Sequence, residues 1–405
     1  MSETQTVMCV NSGSSSLKFH LYEMGSSETI VARGAVEGIG QGEGRLWFVD
    51  GEGVPFAERE LDDVKYEYAI EQALVALSGK DLPSIEAIGH RIVHGGPNHL
   101  APELLTSELI DDLRKHVAWA PLHLPNSLRV IDALRANLPG VPQVACFDTA
   151  FHAGMPEIAR RLALPRHFFD EGVHKYGFHG LSYEYVLGVL GARARGRTVI
   201  AHLGNGASMV ACLDGRPQDT TMGMTPLGGF MMGTRTGDMD PGVLLYLVRE
   251  RSYDATSLER LLDKESGLKG VSGETADMET LLELRAGDAA AAQAVDMFCY
   301  QARKTIGALA AVLGGLDLLV FTGGIGEKAA AVRALVCRDL EHLGVELDPA
   351  ENEVHAETIS AQGSGCLVKV VPTKEDLMIA RHTHTLAFGG GAAGAATRTP
   401  EGGLS

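Results

Sequence analysis

One layout occurs twice in this chain. At residues 6–22 an apolar strand, TVMCV, breaks into six small polar residues, NSGSSS, and resumes as a strand, LKFHLY. At residues 198–215 the strand TVIAHL leads through GNGAS into MVACLDG. A weak internal repeat of this kind predicts two domains built alike. With 405 residues the chain also exceeds the size at which one core usually divides. Strand-like and helix-like segments alternate along it, which predicts an α/β fold.

The remaining elements follow from periodicity. In LKFHLY, Leu17, Phe19 and Leu21 fall on one face and Lys18, His20 and Tyr22 on the other. Helical spacing is present over 66–78 and 104–117, and PQVACF (142–147) reads as a buried strand ending at Asp148. Residues 291–313 predict a long Ala-rich helix with Val295, Phe298, Ala302, Ile306 and Leu309 on one stripe. LDLLVF (316–321) is a buried strand, TGGIGE a loop and KAAAVRALVCRDL a helix. The expected division is a first domain over 1–150, rejoined by about 378–390, and a second over 151–377. The Gly/Ala-rich tail 389–405 is expected to be flexible.

Charge and cysteine use exclude several functions. A formal net charge of -17 repels nucleic acid and anionic membrane, so neither is expected as a partner. An anionic substrate needs local Lys and Arg to offset that field. Six cysteines (Cys9, Cys146, Cys212, Cys299, Cys337, Cys366) form no C-x-x-C pair and read as buried free thiols of a cytoplasmic protein. The N-terminus shows no signal-peptide pattern, and no uninterrupted apolar run reaches membrane-spanning length.

Three glycine-rich stretches each follow a strand: NSGSSS (11–16), GNGAS (204–208) and TGGIGE (322–327). Glycines let backbone N–H groups approach a phosphate. One such stretch is a turn by default; three at strand ends point to phosphate. Neither G-x-G-x-x-G nor G-x-x-x-x-G-K-[ST] is present. In HRIVHGG (90–96), Arg91 and His94 flank apolar residues, and His94 reads as structural. His123, between two prolines in WAPLHLPN, also reads as structural on its own. Asp148 in CFDTAFH ends a strand, a common place for a metal-binding or catalytic carboxylate. His179 in YGFHGLS lies between two glycines and is expected to be exposed. The stretch GMTPLGGFMMGTRTGDMDPG (223–242), with Arg235 and Asp238, fits neither helix nor strand, and long irregular segments are usually functional. His382 and His384 form an H-x-H pair without a carboxylate cluster to complete a metal site.

In order, NSGSSSLK, HRIVHGG, PLHLPNSL, CFDTAFH, YGFHGLSYEYV, HLGNGAS, TPLGGFMMGTRTGDMDPG and FTGGIGE resemble the acetate kinase family over about residues 5–385. The resemblance implies two duplicated ribonuclease H-like domains, the actin-like ATPase fold, with the active-site cleft between them. It implies a homodimer, and the reversible transfer of a phosphoryl group from ATP to acetate by direct in-line attack of the carboxylate. Mg²⁺ would be the cofactor, with Mn²⁺ as a substitute. Arg91 would bind the substrate carboxylate, and Arg235 and His179 would contact the phosphoryl in flight. Asn11, Ser14, Ser16, Lys18, His123 and Asn205 would position phosphate. The nucleotide would also meet His202, Gly204, Gly206, Asp277, Gly323, Gly324, Ile325 and Gly326. Asn11, Asp148 and Glu375 would organise the metal, and Val93, Leu122, Phe178 and Pro226 would enclose the acetate methyl.

The chemistry suits these residues. A carboxylate acceptor is already ionised at neutral pH, with a pKa near ~4.3, and needs no base. Cations must instead hold two anions together, and guanidinium matches both carboxylate and phosphate. The chain departs from the family at Gly228, usually acidic, at Gly323, usually Ala, and at Asp277-Met278-Glu279, which usually ends in arginine. The last departure predicts weak discrimination between nucleotide bases. Within the family, a propionate or butyrate kinase is the alternative. A sugar kinase would want a base and polar hydroxyl contacts, and an Hsp70-type module would want a peptide-binding domain.

Overall fold

The computed structural model describes residues 4–121 and 123–389. Among the described residues thirteen strands form two sheets: β1 (Gln5–Ser12), β2 (Ser16–Met24), β3 (Glu28–Glu37), β4 (Glu43–Asp50), β5 (Pro55–Asp62), β6 (Ala87–Ile92), β7 (Glu103–Leu104) and β8 (Gln143–Phe147) in the first, and β9 (Arg197–Leu203), β10 (Ala207–Leu213), β11 (Arg216–Thr220), β12 (Leu318–Thr322) and β13 (Leu367–Val370) in the second. The described residues group into two units. One comprises those within Met1–Val93, Ala101–Phe147 and Asp376–Ser405; the other comprises those within His94–Leu100 and Asp148–Glu375.

The first unit holds the sheet ordered β5-β4-β3-β2-β1-β6-β8-β7. Its strands β1 to β5 are antiparallel neighbours, while β6 runs parallel to β1 and to β8. The second unit holds β11-β10-β9-β12-β13, with β9, β10 and β11 antiparallel and β9, β12 and β13 parallel. The order β3-β2-β1-β6-β8 therefore recurs as β11-β10-β9-β12-β13. This is the duplication that the repeated strand–loop–strand layout implied.

Local chemistry explains the elements. In β2, Leu17, Phe19 and Leu21 are buried and Lys18 is exposed, so the period of two holds; Tyr22, on the polar face, is nevertheless buried. The expected helix over 66–78 is Tyr66–Ser78. The one expected over 104–117 is shorter, Ser107–Lys115, because the Thr106 side chain accepts from the Leu109 N–H and caps it. The long Ala-rich helix is Ala289–Leu313, started by Asp288 and ended by left-handed Gly314, with its stripe buried. Helix Glu375–Phe388 packs on β6 at Gly89, where a Cβ would come within 2.2 Å of Thr383 Oγ1.

Other expectations need correction. Only half of NSGSSS is loop: β1 runs through Ser12 and β2 begins at Ser16, leaving Gly13–Ser15 as the turn, closed by the Gly13 N–H on Ser16 O at 2.8 Å. TGGIGE is not a loop, because Gly323–Lys328 is helical. The strand expected over 316–321 is Leu318–Thr322, and the helix after it is Ala330–Cys337. The tail expectation falls, except for Gly389, outside the described residues.

Two buried histidines make stability depend on pH. Burial lowers His90 to about 4, partly offset by its bond to Gln143 Oε1 at 2.8 Å. Burial likewise lowers His152 to about 4, with the Phe178 carbonyl opposing and Lys175 adding. Each is neutral when folded and protonates near ~6.5 when unfolded. Their contribution is full above that value and is lost as pH falls from 6.5 toward 4, at most roughly 3 kcal/mol each. Denaturant midpoints should drop between pH 7.5 and 4.5, and drop less in His90→Asn, which does not titrate. An equal drop in that variant would remove His90 from the explanation.

Candidate active site

In the second unit the candidate residues cluster around the turn Gly204–Gly206. That turn joins β9 to β10, so His202 and Ser208 stand opposite each other across the pair. The irregular segment 221–240 fastens to this turn, with the Gly233 N–H donating to Asn205 O at 3.0 Å. Its Arg235 is held on both sides of the guanidinium. Nε lies 3.1 Å from Asp263 Oδ1, and Nη1 donates to Pro226 O at 3.1 Å. Those contacts fix the guanidinium plane and bring Pro226 beside it.

His179 is not exposed as expected; only 9% of it reaches solvent. Its backbone is left-handed, with φ +57°, uncommon for a side-chain-bearing residue. The structure clamps this conformation from both sides. His152 Nε2 is 2.9 Å from Phe178 O, and the Gly180 N–H donates to Asp148 O at 2.9 Å. The flanking glycines are steric requirements. A Cβ on Gly180 would lie 2.4 Å from Asp148 O, and one on Gly177 would meet the His152 ring at 2.7 Å. The His179 and His202 rings stack at 4.3 Å, and each Nδ1 meets a buried serine at 2.8 Å: Ser208 for His179, Ser182 for His202.

The side chains converge at Gly206. A Cβ there would be 3.4 Å from His179 Nε2 and 3.6 Å from Arg235 Nη1. An imidazole and a guanidinium thus border one small space, the arrangement needed to hold an oxyanion or a phosphoryl group. Asp148 is 1% exposed and belongs to this unit, as does Glu375.

Beside the turn opens a cleft of about 710 Å³. Gly204, Asn205, Asp277, Gly324 and Ile325, all candidates from the sequence, line it, and so does Glu279. Gly323 and Gly326 are not among its lining residues. They are buried against β9, where a Cβ on Gly323 would sit 2.8 Å from Leu203 O. Asp277 is occupied as a helix cap: its carboxylate accepts from the Thr280 N–H at 2.9 Å and is held below its usual range chiefly by that bond. The apolar lining, Met278, Leu282 and Ala329, was missed by sequence reasoning. Arg333 was also missed. Fully buried, it donates to Gly326 O and Glu327 O, both at 2.9 Å, and so anchors the carbonyl end of the glycine-rich helix.

In the first unit Asn11 and Lys18 are cross-strand partners at the hairpin. Ser12 Oγ is 2.8 Å from Ser127 Oγ, and the Tyr66 hydroxyl donates to Gly13 O at 2.7 Å. Ser14 lies on the turn and Ser16 opens β2. Arg91 is partly exposed near the end of β6, and Val93 is buried just beyond it. His123 immediately precedes helix Leu124–Asn137 and is partly exposed. Leu122 lies outside the described residues. Sequence reasoning passed over Asp376. Burial raises its carboxyl, but the approach of His20 Nδ1 at 3.3 Å and the charges of His20, Arg91 and Lys18 together hold it low. The charges of Arg91 and Lys18, two candidate site cations of this unit, therefore act on one acid.

His94 is structural, as read. It is fully buried, its ring centroid 4.5 Å from that of Tyr176; Nδ1 accepts from the Gly96 N–H at 2.8 Å, and Nε2 lies 3.1 Å from Met224 O. His384 Nε2 meets Gln5 Oε1 at 2.9 Å. Among the described residues no group of three or more His, Cys, Asp or Glu could hold a metal.

Residues 6–381 match the Acetokinase family. The chain is 45% identical to an acetate kinase of Rhodopseudomonas palustris over 399 residues, 96% of this chain and 100% of that one. It superposes on the crystal structure of Porphyromonas gingivalis acetate kinase with a TM-score of 0.85 at 38% identity, covering 94% and 99% of the two chains. A propionate kinase structure from Francisella tularensis subsp. tularensis gives a TM-score of 0.89 at 34% identity, covering 94% and 100%.

Proposed function

The chain belongs to the acetokinase family, and from that premise we propose how it transfers a phosphoryl group from ATP to acetate and back. Convergence of His179 Nε2 and Arg235 Nη1 on Gly206 carries the reading. The acceptor brings its own negative charge, so catalysis reduces to holding two anions together and stabilising charge spread over the transferring group. Arg91 holds the acetate carboxylate. Arg235 and His179 donate to the phosphoryl oxygens as they pass through the transition state. Asn11, Ser14, Ser16, Lys18 and His123, with Asn205 and His202, hold the phosphate chain. The cleft beside Gly204 takes the nucleoside.

The donor set of Asn11, Asp148 and Glu375 fits Mg²⁺. Magnesium binds through one or two carboxylates, phosphate oxygens and water, and needs no cage of three protein carboxylates. Bound there, Mg²⁺ would neutralise charge on the phosphate oxygens. A homodimer is supported by helix Pro241–Glu250, which buries no residue and leaves Val243, Leu245, Tyr246 and Val248 40–53% exposed. Six free buried cysteines favour the cytoplasm, and among the described residues no helix is long and apolar enough to cross a membrane.

Substrate size tests the reading. Branched Val93, with Phe178 and Pro226, is proposed to shorten the methyl pocket, and a misfit methylene is worth about 1–3 kcal/mol. Values of kcat/KM, read by trapping the acyl phosphate with hydroxylamine, should favour acetate over propionate and butyrate, and Val93→Ala should narrow the gap. Equal values for the three acids in the parent protein would refute it.

Nucleotide choice follows from Glu279, exposed on the first turn of helix Met278–Leu284 and lining the cleft. A carboxylate cannot stack on a base as a guanidinium does, a contact worth about 0.5–2 kcal/mol. Similar KM values are expected for ATP, GTP and ITP, and Glu279→Arg should tighten ATP more than GTP. A hundredfold preference for ATP, unchanged by the substitution, would contradict this.

A further inference from the structure

Behind His179 stand two buried hydroxyls in a line. His179 Nδ1 lies 2.8 Å from Ser208 Oγ, and Ser208 Oγ is hydrogen-bonded to the Tyr183 hydroxyl. Ser208 and Tyr183 have no exposed surface at all. Burial pushes the Tyr183 phenol far above its usual value, and the Ser208 bond offsets only part of that, so the phenol keeps its proton.

The protons then decide the tautomer. Suppose Nδ1 carried the proton and donated it to Ser208. The serine would turn its own proton to Tyr183, and the phenol proton would have no acceptor; or the phenol would donate to Ser208, and the serine proton would have none. Either way a buried hydroxyl proton is stranded, which proteins avoid. With Nδ1 bare, Tyr183 donates to Ser208, Ser208 donates to Nδ1, and every proton in the line is used. The imidazole N–H is then on Nε2, the atom 3.4 Å from the position of a Cβ on Gly206.

We propose that Tyr183 and Ser208 are positioning residues that hold neutral His179 as the Nε2–H tautomer, so that it meets the phosphoryl group as a hydrogen-bond donor and not as a base. The catalytic consequence rests on the phosphoryl-transfer reading above; the tautomer itself does not. A donor is what the chemistry asks for here. The carboxylate has no proton to remove, whereas oxygens of the transferring group gain from each N–H aimed at them. The backbone clamp on His179 and the two hydroxyls therefore serve one end: the first fixes where the ring starts, the second which nitrogen carries hydrogen.

The full chain labelled with ¹⁵N-histidine tests this by two-bond ¹H–¹⁵N correlation at neutral pH. The His179 signals are those missing from His179→Gln. The expected pattern is a bare, pyridine-type Nδ1 and a protonated Nε2; a protonated Nδ1 in the parent protein overturns the proposal. In Ser208→Ala, Nδ1 loses the hydroxyl that donates to it, so a population protonated at Nδ1 should appear. Turnover should fall about tenfold, the scale found when a partner orienting an imidazole is removed. KM for acetate and nucleotide should stay within about twofold, because neither is proposed to touch Ser208. A folded Ser208→Ala protein with unchanged tautomer overturns the proposal, whether or not turnover falls. Should that variant fail to fold, the tautomer of the parent protein still decides. Absence of acetyl phosphate formation together with the expected tautomer would refute the phosphoryl-transfer reading and leave the tautomer standing.

Discussion

Replacing Arg235 with alanine should lower kcat about 10²–10³-fold, the usual loss for one transition-state donor, while the protein stays folded. The cause is local. Arg235 is held by Asp263 and by Pro226 O, with Nη1 against the space at Gly206. Lysine restores the charge but not the geometry, because one ammonium cannot bond Asp263, reach Pro226 O and still face that space. Arg235→Lys is therefore expected to recover little of the loss. Arg91→Ala should fall by a comparable factor, with the acetate KM raised, since Arg91 is assigned to the carboxylate. Circular dichroism and a denaturation curve separate these effects from unfolding. Near-normal turnover by either folded alanine variant would remove the role assigned to it.

Gly206→Ala should fold as the parent does and lose about 10²-fold in kcat, because a displacement near 1 Å of a reacting group costs that much. Folding is spared because the new methyl makes only ordinary contacts, 3.4 Å to His179 Nε2 and 3.6 Å to Arg235 Nη1. Activity is not spared because that methyl occupies the space both side chains face. Gly180→Ala is the contrasting control. Its Cβ would sit 2.4 Å from Asp148 O, so the backbone must move and stability should fall as well. If Gly206→Ala turned over normally, the phosphoryl group could not pass through the space between His179 and Arg235.

The duplicated sheet was legible because a strand, a small polar break and a second strand follow one another in both TVMCV-NSGSSS-LKFHLY and TVIAHL-GNGAS-MVACLDG. Helix ends were less legible. Thr106 moved one start by satisfying backbone donors, and TGGIGE folded as helix although glycine favours other conformations. There Arg333, far along the chain, holds the carbonyls of Gly326 and Glu327. No local pattern encodes such a contact. The site divides the same way. Its glycine-flanked histidine and irregular arginine segment stood out in sequence, but the burial of His179 did not, since two glycines read equally well as an exposed turn. Ser208, Tyr183 and Asp263 were invisible as functional residues: each lies in an ordinary strand or helix and gains its role only from the neighbour it meets. Asp376 was hidden beside Glu375, and one acidic residue in a pair carries no mark of which faces Arg91.

The central claim is that a carboxylate oxygen attacks the terminal phosphoryl group of ATP. Acetate labelled with ¹⁸O in both oxygens, incubated with the protein, Mg²⁺ and ATP and trapped with hydroxylamine, tests it directly. Hydroxylamine attacks the acyl carbon, so the phosphate released carries away the oxygen that had bridged carbon and phosphorus. The expected result is ADP in step with acetohydroxamate, and inorganic phosphate bearing one ¹⁸O per molecule. Label appearing instead in AMP, with pyrophosphate released, or ADP forming without label in the phosphate, would contradict it.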